Sequence, residues 1–319
     1  MNILAPLNDV DYLVPFIEAG ADEFFFGFYE DRDRETFGRY FELNRMSGFA
    51  RDASRFSLSD AIALTQEIKR RGKDVYITLN SAGYTQDHLL YMESYVRQLV
   101  AAGADGFIVS CPEAVDLVHR MGGQSVVSCV ASVYNSAMAK FYKDLGAKRI
   151  IVPRDLSMEE LQSLTNHVPG MEFESFIMRN GCLLSDGNCM GLHLHKHGGI
   201  CKSLQKSEKR YILNCPQDLP DVEEMQKQYD TCLYRTACGL CAIYRMLQAN
   251  ITACKVVGRL DWHDQVLKDI RLVHENIEIA KNSDSEAAFF AHMHLAPDCT
   301  RKNHTGYSCY FPEVVNPCI

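Results

Sequence analysis

Short runs rich in β-branched and aromatic residues alternate with segments of helical period along most of this chain, and that alternation limits the fold more than any single motif. "NILAP" precedes "VDYLVPFIEAG", "EFFFGF" follows, and "SLSDAIALTQEIKRRG" leads into "DVYITLN". The pattern continues through "DHLLYMESYVRQLVAAG" and "GFIVS", "PEAVDLVHRMG" and "VVSCVAS", "NSAMAKFYKDLG" and "RIIVP", then "SMEELQSLTNHV" and "EFESFI". An eighth strand candidate, "CKVVG", follows the helix-like "CGLCAIYRMLQAN", and "DWHDQVLKDIRLVHENIEIAKN" is a last helical segment. Strands separated by helices pair in parallel, and eight such units predict an α/β fold, a TIM-like (β/α)8 barrel. Gly20, Gly72, Gly103 and Gly146 each close a helical run just before a strand, as C-terminal caps do. A chain of 319 residues, 47% of them hydrophobic, is long enough to fill such a core.

In a barrel of this kind chemistry gathers where strands end, which makes Asn80, Ser110, Ser132 and Arg154 candidates to line the mouth. Two regions break the repeat. Residues 179–241 form a long cysteine-rich insertion after the seventh strand, and a stretch of that length without periodicity is usually functional. Residues 291–319 are a tail holding Cys299, Cys309, Cys318, His292, His294 and His304. The expected organisation is therefore one barrel over residues 1–290, including the insertion, followed by that tail.

"MNILAPLNDV" lacks the basic and apolar regions of a signal peptide, and no later run reaches the roughly 18 apolar residues of a membrane span. A cytoplasmic location is expected. There, the thirteen cysteines stay reduced, so clustered thiols read as metal ligands or catalytic groups. Cys111, Cys129 and Cys254 lie in apolar stretches and read as core residues. The net charge of −8 gives no broad basic face for a phosphate backbone. The basic run "KSLQKSEKR" (202–210) reads as a solvated loop or as a local contact with an anionic substrate or RNA.

The densest chemistry is in "RNGCLLSDGNCMGLHLHKHGGICKS" (179–203). A turn at Asp186–Gly187 can bring Cys182 and Cys189 together, and "HGG" lets Cys201 fold back toward them. A fourth thiolate must come from elsewhere; Cys241 or Cys238, at the start of a helical segment, is well placed. Four thiolates hold either zinc or a 4Fe–4S cluster, and the wide first gap leans toward iron–sulfur. His193, His195 and His197 alternate, so on an extended strand they share a face and form a solvated edge, a second metal site or a proton-transfer site. Arg154, Glu174 and His195 are the candidate catalytic residues.

Glu174, Phe176, Cys182, Gly187 and Cys189 in "EFESFIMRNGCLLSDGNC" resemble the signature of the collagenase-like peptidase family U32. "GADEFFFG", "KDVYITLN", "LGAKRIIVPRDLSMEEL", "YILNCPQDL" and "GLCAIYRM" through "ACKVVGR" are family-like as well. The resemblance implies oxygen-independent hydroxylation of ubiquinone precursors or RNA bases, with prephenate as hydroxyl source for the RNA-modifying members. It also implies a 4Fe–4S cluster, whose ligands by motif position are Cys182, Cys189, Cys201 and Cys241. The sequence departs from the family at "RNG" (179–181), at "CMGL" and in the inserted "PDVEEMQKQYDTCLYRTA", which adds Cys232 and Cys238 as rival ligands. The leading expectation is an iron–sulfur protein in a redox modification of a small molecule or RNA, with an electron donor not specified by the sequence. A peptidase is the first alternative, although neither "HExxH" nor "GxSxG" occurs. The second is a non-catalytic, cluster-bearing subunit paired with another barrel protein.

Overall fold

The computed structural model describes residues 1–37, 43–45, 53–81, 83–181, 185–189, 237–296 and 309–315. Its frame is the expected closed barrel of eight parallel strands. These are β1 (Asn2–Pro6), β2 (Glu23–Phe26), β3 (Asp74–Leu79), β4 (Gly106–Val109), β5 (Ser125–Val127), β6 (Ala147–Ile151), β7 (Glu172–Met178) and β8 (Ala253–Val256). Closure comes from β1 pairing with β8, Leu4 opposite Lys255. The surrounding helices are α1 (Leu13–Glu18), α2 (Asp31–Phe37), α3 (Leu58–Arg70), α4 (Gln86–Ala102), α5 (Pro112–Arg120), α6 (Ser136–Asp144), α7 (Met158–His167), α8 (Ile243–Gln248), α9 (His263–Lys281) and α10 (Glu286–His292), with a last turn α11 (Pro312–Val315).

Local signals set the helix ends. Ser57 with Asp60, Thr85 with His88 and Ser157 with Glu160 form reciprocal capping boxes at α3, α4 and α7, satisfying amides that the helices leave open. Gly103 ends α4 at φ 99°, a conformation that side chains disfavour. Val109, Val115, Val118, Leu99 and their counterparts around the ring are buried between strands and helices.

Strand β5 is shorter than "VVSCVAS" suggests. After Val127 the Ser128 amide donates to Val109 O at 2.7 Å, and Cys129–Ala131 forms a tight turn with Ser132 at φ 59°. The turn packs against the Asp186–Cys189 turn; a side chain at Gly187 would collide with Ser132 Oγ. The β5 exit thus supports the cysteine motif instead of extending the sheet.

Five strands carry ionisable residues into the barrel. Arg149 (β6) reaches Glu23 (β2) through two bonds of 2.5 and 2.9 Å, Glu174 (β7) at 3.3 Å and Glu172 at 2.9 Å. Lys255 (β8) donates to Glu174 at 3.1 Å and lies 3.8 Å from the centre of the Phe25 ring, and the Arg149 guanidinium stacks over Tyr76 (β3). A barrel interior is normally filled by branched aliphatic layers; here one layer is ionic, and each charge has an opposite partner.

Candidate functional site

The end of β7 opens the site. Arg179 and Asn180 adopt left-handed backbone at φ 63° and 50°, which turns the chain out of the sheet. Arg179 is held there by a buried fork to Asp269 of α9, with bonds of 2.7 and 2.8 Å. Asn180 donates to Asp261 at 3.2 Å. The "RNG" triplet therefore functions as an anchor for the motif that follows.

Residues 237–239 return antiparallel beside this exit. The Arg179 amide donates to Ala237 O at 2.7 Å, the Gly239 amide to Ile177 O at 2.8 Å, and the Tyr310 amide to Cys238 O at 2.9 Å. The backbone of Cys238 pairs antiparallel with Met178 and parallel with Cys309, both cysteines being free thiols. Cys241 lies in the short turn just before α8. Cys238, Cys241 and Cys309 are all buried, and the Cys238–Cys309 pairing brings thiol-bearing residues of two distant segments together at the barrel end. The tail segment is tied down further by the Tyr310 hydroxyl, which donates to Arg179 O, and by Glu313, which accepts from the Met158 amide at 2.9 Å. Cys189 ends the Asp186–Cys189 turn. Cys182, Cys201, His193, His195, His197, the basic run 202–210, Cys215, Cys232, Cys299, Cys318 and His304 lie outside the described residues. Among the described residues no three His, Cys, Asp or Glu side chains converge as a metal site.

Asp186, within the motif, joins that loop to the barrel mouth. It is buried, pairs with Arg154 Nη1, accepts from the Arg154 amide at 3.1 Å and lies 3.9 Å from Arg45 Nη1. Next to it, Ser185 bonds to Tyr134, whose hydroxyl also reaches Asp155 at 3.0 Å. Arg154 sits over the Phe176 ring, 3.7 Å from its centre. Of the other expected mouth residues, Asn80 accepts from the Arg45 amide at 3.3 Å, Ser110 donates to Ser81 O, and Ser132 buttresses Gly187. The second arginine of the mouth, Arg259, follows β8 and donates to Thr78 Oγ1 at 3.2 Å.

Electrostatics separate these groups. Glu174 is fully buried between Arg149 and Lys255, so it is already neutralised by the protein. Burial lowers the Lys255 ammonium, opposed by Glu174. Burial and the nearby Arg45 charge push Arg259 down to about 10, still cationic at neutral pH. Burial raises the thiols: Cys129 to about 12, with Asp186 adding to the effect, and Cys111 to about 11. Cys254, also buried, is raised as well. These three are core thiols, as expected, and their shifts oppose what a cysteine nucleophile needs.

The sequence singles out Arg154, Glu174 and the cysteines and places Asp186 in a turn, but does not show the pairing of Asp186 with Arg154 or the roles of Arg45, Arg149, Lys255 and Arg259. For Arg149 and Lys255 the available signal was a charge at an inward position of an otherwise apolar strand, as in "AKRII" and "ACKVV".

Comparison with known proteins matches the Peptidase family U32 profile to residues 8–315. The chain belongs to peptidase family U32. Family relatives include "tRNA hydroxylation protein P" of Escherichia coli K12, 30% identical over 48% of this chain and 32% of that protein. They also include "Uncharacterized protease MJ0090" of Methanocaldococcus jannaschii, 28% identical over 98% of this chain and 74% of that protein. "Collagenase" of Porphyromonas gingivalis is 22% identical over 89% of this chain and 68% of that protein. Matches to the tRNA hydroxylation proteins of E. coli K12 and Helicobacter pylori J99 span 32% and 49% of those proteins' lengths. Among the described residues, no helix is long and apolar enough to cross a membrane.

Proposed function

We propose that this U32 chain binds a 4Fe–4S cluster and takes part in oxygen-independent hydroxylation, or a related redox modification, of an RNA base or a small molecule. One observation carries the reading: Cys238 and Cys241 are buried beside the β7 exit, the exit that leads directly into the cysteine motif. Buried thiols in apolar surroundings suit an iron–sulfur cluster. Cys182, Cys189, Cys201 and Cys241 would hold it, with Cys238 the rival ligand. Such a cluster supplies one-electron transfer when bound.

The chain's own residues then have separable roles. Arg179 with Asp269 fixes the start of the motif, and Asp186 with Arg154 fixes its turn. Trp262, the single tryptophan, is 86% exposed on the loop after β8, at the same barrel end, where a nucleobase can stack on it. The tRNA hydroxylation relatives favour RNA over a small molecule as the substrate. Prephenate is the proposed co-substrate. A second barrel protein of the family and an electron donor are the proposed partners.

Anaerobic purification with iron and sulfide analysis and a visible spectrum tests the cluster. Serine at positions 182, 189, 201, 238 and 241, one at a time, identifies the ligands. Loss of the chromophore in Cys238→Ser with retention in Cys241→Ser would reassign the fourth ligand. A colourless protein with stoichiometric zinc after anaerobic reconstitution, cleaving denatured collagen in air, would replace this reading with the peptidase one.

A further inference from the structure

The mouth arginines are not equivalent. Arg154 and Arg45 share Asp186, whereas Arg259 has no acidic partner among the described residues. Among the described residues its side chain donates to a neutral hydroxyl, Thr78 Oγ1, which in turn donates to Phe26 O at 3.2 Å. The charge that bears on it is a like one, that of Arg45. Arg259 is nevertheless half-buried, and desolvation is the main cause of its lowered pKa.

The backbone holds it in this position from two sides. Asn8, after β1, donates to Arg259 O at 2.9 Å, and Gly258 before it takes φ 137°, a conformation that essentially only glycine adopts. Gly27, at the end of β2, has no side chain to separate the neighbours of Arg259; a Cβ there would lie 2.7 Å from Thr78 Oγ1 and 2.8 Å from Ser54 Oγ. The fold therefore spends two special glycines on placing a guanidinium next to a like charge. Half-buried cations are costly without a counter-charge, and a guanidinium fork matches the oxygens of an anion.

We propose that Arg259, assisted by Arg45 and oriented by Thr78, is the binding site for a compact oxyanion, a carboxylate or a phosphate group, entering at the C-terminal end of the barrel. The anion supplies the counter-charge that the described protein residues do not. This assignment stands independently of the cluster, because none of its residues is a cysteine or belongs to the motif.

The test is calorimetric titration of the intact protein with malonate and, separately, with inorganic phosphate at fixed ionic strength, alongside melting in an anion-poor buffer. Wild type is expected to bind at least one of the two, and Arg259→Gln to bind it roughly 10- to 100-fold more weakly, as expected for lost charge-assisted hydrogen bonds. Tighter malonate binding identifies a carboxylate ligand and tighter phosphate binding a phosphoryl one; either supports the site. Without anion, Arg259→Gln should melt no lower than wild type, since it removes a like-charge pair. If that variant misfolds, Arg259→Lys keeps the charge, loses the fork and should still bind more weakly. Binding of both anions unchanged in the variants, or no binding of either anion by wild type, overturns the proposal.

Discussion

The Arg179–Asp269 fork gives a quantitative test of how the motif is anchored. The two side chains are 7% and 2% exposed and joined by bonds of 2.7 and 2.8 Å, so neither charge can turn to water if the other is removed. Removing one member of such a pair costs about 3–5 kcal/mol. At about 2 °C per kcal/mol for a chain of this size, Arg179→Met or Asp269→Leu should lower Tm by roughly 6–10 °C. The double variant Arg179→Met/Asp269→Leu leaves no stranded charge and should recover to within about 1–2 kcal/mol of wild type, since apolar pairs replace buried ion pairs well. Gln265, which also donates to Asp269 at 2.9 Å, is only half-buried and can turn to water. Thermal melts of the four proteins at neutral pH, arranged as a double-mutant cycle, measure the coupling. Losses that simply add in the double variant would refute the reasoning, because then the stranded charge is not the source of the cost.

Native alkylation at pH 8 should spare Cys111 and Cys129: with thiols at about 11 and about 12, thiolate fractions are roughly one in a thousand and one in ten thousand. Rapid labelling of either in the folded protein, read by peptide mass spectrometry, contradicts the burial. Asp33 is raised by burial even though Tyr95 and Tyr91 donate to it at 2.5 and 3.0 Å. Its folded form takes up a proton more readily than the unfolded one, so this group's contribution to stability falls as pH rises from the ordinary carboxylate range through the raised value. Asp33→Asn should flatten that slope in melts between pH 4 and 7 (a range set by the ordinary carboxylate value of about 4); an unchanged slope removes Asp33 as the cause. Because Trp262 is the single tryptophan and lies open to solvent, intrinsic emission should have the red-shifted maximum of a hydrated indole and be quenched readily by acrylamide. If short single-stranded RNA stacks there, it should quench the same signal, and Trp262→Ala should weaken RNA binding without lowering Tm.

The barrel was readable because most strand–helix units repeat the same local chemistry: an apolar run, then a helix that ends on a glycine, several of them capped at the start as well. The turn Cys129–Ala131 was not, since "VVSCVAS" has strand composition and only the distant Asp186–Cys189 turn makes a reversal favourable there. The division of labour among the arginines was also hidden. Arg154 and Arg259 are alike as sequence, each following an apolar strand, and the placement of Asp186 gives Arg154 an acidic partner while Arg259 has none among the described residues. Periodicity likewise cannot show Arg149, Glu23, Glu174 and Lys255 meeting, because they come from four strands whose inward positions converge only when the sheet closes. The significance of "RNG" follows the same logic: its arginine needs Asp269, ninety positions along the chain.

The seating of Cys309 and Tyr310 against Cys238 bears on timing during synthesis. All eight strands leave the ribosome well before the segment that completes this buried face, so a nascent barrel has an interval in which Cys238 and the β7 exit are uncovered. Any chemistry that needs Cys238 open has that interval, before residues 309–315 seat against it.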